Sequence, residues 1–143
     1  MIYENEMLFD LLPNFSVNEK WGDYNKMSPV LLVLLQKLRI DFGKQCWFKI
    51  NVGFKDGGHS ETSQHYVGKA VDFSIANISF EDAFIKMEKL LDEYGIADKC
   101  GLGVYPHWNK RGFHLDVRGT KARWGRLATG TYVAAEVAML SYS

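Results

Sequence analysis

Two β-type segments of the chain each carry ionisable side chains on one face. In residues 70–75 (AVDFSI) the two-residue period of a strand places the large apolar side chains on one face and Asp72 on the other. In residues 113–117 (FHLDV) the same period turns His114 and Asp116 together to the polar side. If the two strands are neighbours, opposed side chains stand about 5 Å apart at Cβ. The three ionisable groups are then expected to converge.

A second histidine precedes the first of these strands. His65 lies in the segment leading to Asp72, and Gly68 permits a sharp turn between the two. Two imidazoles and one carboxylate are the ligand set of an open zinc site, in which water takes the fourth position. Zinc lowers the pKa of such a water to about 7 and polarises a carbonyl group. His65, Asp72 and His114 are therefore candidate zinc ligands, and hydrolysis is the chemistry expected of them.

Asp116 is not needed as a ligand in this set and is the candidate general base, which would take the proton of the water and pass it to the leaving amine. Alternatively, it is an acceptor that orients an imidazole. Each histidine could more simply be a surface or hydrogen-bonded residue. His114 and Asp116 together could more simply be a salt-linked pair on one strand. The triad of non-haem iron oxygenases is excluded because it needs a histidine after the HxD, and none follows Asp116.

The residues around these candidates form a family pattern. Ser63, His65, Gly68, Ala70 and Asp72 fill every position of SxHxxGxAxD, and GLGVYP at residues 101–106 and the HxD of His114 follow in the expected order. Over roughly residues 49–124, the chain resembles the superfamily of zinc D-Ala-D-Ala carboxypeptidases and L-Ala-D-Glu endopeptidases, which includes the hedgehog signalling domain. It is most similar to the branch found in phage endolysins and bacterial murein endopeptidases.

This resemblance implies an α+β domain with a small antiparallel sheet and helices packed on it, and zinc on the same three ligands. It implies cleavage of a peptide bond in peptidoglycan stem peptides or cross-links. The alternative is a catalytically inactive, zinc-stabilised binding module, because the hedgehog domain keeps its metal while serving recognition. Two positions depart from the pattern: Arg111 stands where many relatives have a carboxylate, and Lys55 stands where relatives commonly have an arginine that holds a substrate carboxylate.

Five side chains are candidates for contact with the substrate. Lys55 can bind a carboxylate as a point charge, without the bidentate fork of arginine. His59 lies in a glycine-containing loop and could line the cleft or assist an oxyanion. Tyr105 and His107 could form the rim of the groove, and the Ser63 hydroxyl is expected to brace the loop that carries His65. Each of the five could instead be an ordinary surface or structural residue. The tryptophans expected in the core or the groove wall are Trp47, Trp108 and Trp124.

The elements that must position these residues follow from local signals. Ser28 and Pro29 begin a helix that ends at Gly43, and Ser79 begins a second helix that ends at Gly95. Residues 131–140 fit either a helix or an edge strand. The expected strands cover residues 47–54, 69–75, 102–105 and 112–117, which makes the class α+β.

Composition limits the function further. The 143 residues, of which 47% are hydrophobic, predict one domain over residues 1–143 and a monomer. Seventeen basic and 17 acidic side chains cancel, which argues against nucleic acid or an anionic membrane as partner. No apolar run is long enough for membrane insertion. The acidic N-terminal residues do not resemble a secretory signal, so a cytoplasmic protein that reaches the wall by another system is expected. Cys46 and Cys100 are expected as buried thiols.

Overall fold

The computed structural model describes residues 4–58 and 62–142. Within these residues the α-helices are α1 (Glu4–Asp10), α2 (Pro29–Phe42), α3 (Phe80–Glu93) and α4 (Ala135–Leu140). The strands are β1 (Phe48–Val52), β2 (Ala70–Ile75), β3 (Gly101–Tyr105), β4 (Gly112–Asp116), β5 (Ala122–Arg126) and β6 (Tyr132–Val133). Short 3-10 turns lie at Tyr24–Lys26, Gln64–Val67 and Ala97–Lys99. The α+β class expected from the sequence is confirmed.

Both long helices begin at the residues that the sequence indicated. The Ser28 hydroxyl accepts a hydrogen bond from the Leu31 backbone N–H at 3.3 Å, and the Ser79 hydroxyl accepts one from the Asp82 N–H at 3.1 Å. Each cap satisfies a backbone donor that has no partner within the first turn of its helix. Helix α2 ends at Phe42, and its C-cap is Gly43, whose φ of +99° favours glycine.

The strands form one sheet in the order β1-β2-β4-β3-β5-β6. Four of its five pairings are antiparallel, and β3 pairs with β5 in parallel. The sequence did not predict β5 because ARWGR lacks a clear alternation of apolar and polar residues. The antiparallel sheet expected from the resemblance is therefore correct for most of the sheet and wrong at β5.

The two faces of the central strands differ as the alternation predicted. Val71 and Phe73 of β2 lie opposite Leu115 and Phe113 of β4, and all four side chains are buried in the core. The buried faces of the two long helices supply further core residues, among them Leu31, Leu35, Leu38, Met87 and Leu91. This packing leaves the opposite face of β2 and β4 to polar side chains.

Residues 131–140, which fitted a helix or a strand, contain both. The short strand β6 is followed by α4, in which Ala135 and Ala138 are buried. Ala138 packs close to Gly125 of β5, where a Cβ atom would lie too near the alanine methyl group. In the part of the chain described here, no helix is both long and apolar enough to span a bilayer.

Candidate metal centre

The polar face of the sheet carries one row of residues across four strands. Asp72 of β2 is paired with His114 of β4, His114 is paired with Gly103 of β3, and Gly103 is paired with Trp124 of β5. In the next row, Asp116 of β4 lies between residues without large side chains. The predicted convergence of the three ionisable groups is thus confirmed, and it depends on β2 and β4 being neighbours.

The second histidine reaches this row from the 3-10 turn at Gln64–Val67. The Ser63 hydroxyl accepts a hydrogen bond from the His65 N–H at 3.2 Å, which fixes the start of the turn. The turn ends at Gly68 in the left-handed region, with φ of +70°, and a Cβ atom there would collide with the Lys26 carbonyl. The bracing role predicted for Ser63 and the sharp turn predicted at Gly68 are both confirmed.

Three donor groups meet beside the sheet. His65 Nε2 lies 3.2 Å from Asp72 Oδ1, and His114 Nδ1 lies 3.1 Å from the same oxygen. One donor atom from each residue lies within 4.8 Å of the other two, and the residues are only 2 to 8% exposed. This buried group could hold a metal ion.

The hydrogen bonds around the group fit a metal site. His65 Nδ1 lies 2.7 Å from the Gly53 carbonyl oxygen, and His114 Nε2 lies 2.7 Å from Asp116 Oδ2. These acceptors favour a proton on the outer nitrogen of each ring, which leaves His65 Nε2 and His114 Nδ1 as ligand atoms. An acceptor behind each metal-binding imidazole is the usual arrangement in metalloproteins.

The charge state of Asp72 also suits a ligand. Burial alone would raise the pKa of its carboxyl group, but the adjacent His114 and His65 rings outweigh burial and hold the pKa below its ordinary value. The carboxylate is therefore ionised at neutral pH, which is the form that binds a metal.

Asp116, the candidate base, is fully buried and its carboxylate is surrounded by donors. Arg118 donates from Nε at 2.8 Å and from a terminal nitrogen at 2.7 Å, and the Gly101 N–H donates at 3.1 Å. Burial would raise the pKa of Asp116, but Arg118 and His114 hold it well below its ordinary value. A carboxylate so held is a poor proton acceptor. The geometry therefore favours the alternative role, in which Asp116 orients the His114 ring.

Glycines on β3 make room for this arrangement. A Cβ atom at residue 101 would lie 2.5 Å from Asp116 Oδ2, and one at residue 103 would lie 2.6 Å from the Trp124 indole. The missing side chain at residue 101 thus leaves space for the Asp116 carboxylate, and that at residue 103 leaves space for the Trp124 ring. The Trp124 ring centre lies 5.0 Å from that of His114.

His65, Asp72 and His114 line a cleft of about 700 Å³. One wall is aromatic: Tyr105 stacks on Trp108 with ring centres 3.8 Å apart, and the Trp124 indole N–H donates to the Tyr105 hydroxyl at 2.8 Å. Trp47, by contrast, is 64% exposed and lies in neither the core nor this wall. The cleft is lined by Gly58, Thr62, Ser63, Gln64, His65, Asp72, Tyr105, Trp108, His114, Arg118, Trp124, Arg126 and Tyr132.

The other predicted substrate contacts fall in different places. Ser63 and Tyr105 line the cleft, whereas the exposed Lys55 does not. The Lys55 backbone N–H donates to the His65 carbonyl at 3.2 Å. His107 does not line the cleft but an adjoining depression of about 210 Å³, which shares Tyr105 and Trp108 with it. Its Nε2 lies 3.0 Å from the Ser141 hydroxyl. His59 lies outside the described residues.

Two arginines in the cleft were missed from the sequence. Arg118 continues the alternation of His114 and Asp116, so the two-residue period could have placed it on this face. Arg126 had no such signal, because it belongs to β5, which was not predicted. The positive charge of the described cleft is carried by these arginines and not by Lys55.

Comparisons of the chain with protein-family models, with curated proteins and with solved structures give no match.

Proposed function

We propose that this protein is a zinc-dependent peptidase that hydrolyses peptide bonds in peptidoglycan stem peptides or cross-links, as an endolysin does. The observation that carries the proposal is the buried group of His65, Asp72 and His114 at the base of an open cleft. Two imidazoles and one carboxylate are the donor set of hydrolytic zinc sites, which leave one position for water.

Zinc bound by these three residues would acidify a water molecule and polarise the carbonyl group of the scissile bond. The chain supplies the fixed geometry. Gly53 and Asp116 hold the two imidazole rings, and the ionised Asp72 provides the negative ligand. Burial raises the pKa of Tyr105, so its hydroxyl stays protonated at neutral pH and can donate a hydrogen bond to an oxygen that gains negative charge.

The cleft suits a peptide substrate. Its aromatic wall offers apolar contact surface. Arg126 also lines the cleft and, unlike Arg118, is not bound to a carboxylate among the described residues, so its charge favours a chain that carries carboxylates, as stem peptides do. A smaller depression of about 320 Å³ adjoins the cleft at Asp72 and Trp108, so a bound chain can extend past the metal ligands. The choice of peptidoglycan rests on the resemblance of residues 63–72 and of the HxD to the peptidase superfamily.

One observation favours the second candidate, a zinc-stabilised binding module without activity. Asp116 is engaged by Arg118 and His114, and Asp72 is the one carboxylate among the described residues that line the cleft. A free carboxylate base is thus absent from the part of the cleft described here. A binding module needs the metal and the cleft but no base.

The test is hydrolysis of purified sacculi and of a synthetic stem pentapeptide by the zinc-loaded protein, with new amino groups and muropeptides quantified. The peptidase predicts release that stops on chelation and returns with zinc. A folded protein that holds one zinc ion and leaves both substrates intact would contradict it, and retention of the protein on sacculi would then support the binding module.

A further inference from the structure

We infer that the side-chain oxygen of Asn51 accepts a hydrogen bond from a neutral peptide N–H of the bound substrate, in the depression of about 320 Å³ that adjoins the metal-ligand group. This inference rests on the proposed function and takes it further, because it names a residue that sets the register of the peptide beside the metal centre.

A β-bulge places Asn51 next to the metal-ligand group. The residues on either side of Asn51 pair with consecutive residues of β2, Phe73 and Asp72. Asn51 is therefore an extra residue of β1 without a partner of its own on β2. A bulge turns a side chain out of the regular alternation and is common beside functional sites. Here Asn51 lines the depression together with Asp72, one of the three candidate ligands.

Two hydrogen bonds fix the orientation of the Asn51 amide. The Ser74 hydroxyl donates to the Arg111 carbonyl at 2.7 Å and lies 3.1 Å from Asn51 Nδ2. A carbonyl oxygen can only accept, so the single hydroxyl hydrogen of Ser74 is used by Arg111, and the hydroxyl oxygen accepts from the Asn51 nitrogen. The nitrogen of the amide therefore faces Ser74, and the amide oxygen is the end that can serve a ligand.

This oxygen has an unmet capacity for hydrogen bonding. Asn51 Oδ1 is buried and has no hydrogen-bond partner in the part of the chain that the structure describes. Folded proteins leave few buried polar atoms unpaired, and a functional role is one reason for those that remain. A buried acceptor is costly to leave unpaired, so a donor that enters the depression gains a favourable partner in Asn51.

The charges at the rim of the depression favour a neutral donor. Lys110 lines the depression, and its neighbours Lys20 and Lys49 are exposed like Lys110 itself. A hydrogen bond with Lys20, together with the positive charges of Lys20 and Lys49, lowers the pKa of the Lys110 ammonium group. Positive charges gathered at one rim repel a further ammonium group but not an uncharged peptide N–H. The donor expected at Asn51 is therefore a peptide N–H and not an amino side chain.

The experiment compares one stem pentapeptide with analogues that each carry one methylated peptide nitrogen and so lack one N–H donor. A further analogue has its side-chain amino group acetylated, which removes the charge. Binding is followed by calorimetry with the chelator-treated full chain, in which no turnover occurs, and KM is measured with the zinc-loaded protein. Asn51→Leu removes the acceptor at similar volume. Asn109→Leu is the matched control, since Asn109 is an exposed asparagine that lines the same depression.

We expect one N-methylated analogue to bind the unaltered protein about 3- to 10-fold more weakly than the parent peptide, the usual effect of one lost hydrogen bond. Asn51→Leu should weaken binding of the parent by a similar factor and abolish its advantage over that analogue, because both changes remove the same hydrogen bond. Asn109→Leu and acetylation should leave the advantage intact. If every analogue loses as much affinity in Asn51→Leu as in the unaltered protein, or if acetylation removes the advantage, the inference is wrong.

Stability distinguishes a binding role of Asn51 from a structural one. Because its oxygen is unpaired within the described chain, Asn51→Leu should leave the urea midpoint unchanged or raise it, with the zinc content unchanged. A lowered urea midpoint, with an equal loss of affinity for the parent and for all analogues, would show that Asn51 only supports the fold and would overturn the inference.

The same measurements separate this inference from the proposed peptidase. An advantage of the parent peptide that depends on Asn51, in a protein that hydrolyses none of the peptides, would support the inference and contradict the peptidase. Hydrolysis with a KM that Asn51→Leu leaves unchanged would support the peptidase and overturn the inference. Absence of both binding and hydrolysis would contradict both.

Discussion

Asp116 Oδ2 lies 2.7 Å from Nε2 of His114, on the side of the imidazole ring that faces away from Asp72. The same carboxylate is bound by Arg118 and by the Gly101 N–H, so it has a fixed position before it meets the histidine. This contact gives the HxD spacing a physical reason. Because His114 and Asp116 are two residues apart on β4, the carboxylate can hold Nε2 of the imidazole and leave Nδ1 facing Asp72.

Asp116→Asn tests the orienting role directly. The amide oxygen can still accept from His114 but lacks the charge that pairs with Arg118. We expect zinc affinity, measured by competition with a chelator, to fall about 10- to 100-fold, as for other residues that hold a metal ligand. At saturating zinc, any peptidase activity should persist. The opposite pattern, unchanged zinc affinity with activity lost, would show that Asp116 is the base. Asp98→Asn, at an exposed position near β3, is the control.

Gly101→Ala should damage the same contact from the neighbouring strand. The new Cβ atom would lie 2.5 Å from the Asp116 carboxylate, which must move away from both His114 and the Gly101 N–H. Crowding of this kind in a packed interior costs about 1–3 kcal/mol of the free energy of unfolding. Urea denaturation and the chelator titration measure the loss of stability and of zinc affinity. Gly57→Ala, where a Cβ atom meets nothing within 4 Å, should change neither.

The two cysteines should differ in reactivity. Cys100 is buried, and burial raises the pKa of its thiol to about 11, so that only about one molecule in a thousand carries the reactive thiolate at pH 8. Cys46 is only partly buried, so the expectation of two buried thiols is wrong for this residue. With an aromatic disulfide reagent at pH 8, one thiol should react in the native protein and two in denaturant. Cys46→Ser should remove the fast reaction, and equal rates for both thiols in the native state would refute this prediction.

The parts of the site that the sequence predicted are those that depend on local periodicity. The alternation in residues 70–75 and 113–117 fixed which side chains face away from the core, and pairing of β2 with β4 brought Asp72 opposite His114. The turn at Gly68 and the caps at Ser28 and Ser79 depend on neighbouring residues and were equally predictable.

What the sequence did not predict depends on contacts between distant segments. Strand β5 lacks a pattern of its own and is held by parallel pairing to β3, so the place of Arg126 in the cleft could not be predicted. Trp124 was expected in the core or the groove wall and lines the cleft, but its position beside His114 had no signal. Lys55 lies in the loop after β1, in which Gly58 lines the cleft and Lys55 does not, and no local pattern distinguishes the two positions. The two-residue period also places Arg118 on the same face as Asp116, so the sequence allowed an ion pair between them. The spacing alone does not distinguish an ion pair from two separate exposed charges.

The most direct test is the metal content of the purified protein, measured by elemental analysis beside His114→Ala and His107→Ala. His107→Ala is the matched control, since His107 does not line the cleft and its ring contacts the Ser141 hydroxyl. We predict about one zinc ion per chain, lost in His114→Ala and retained in His107→Ala, with all three proteins folded by circular dichroism. Failure of the unaltered protein to take up zinc on reconstitution, or full retention of zinc by His114→Ala, would contradict a metal centre at His65, Asp72 and His114.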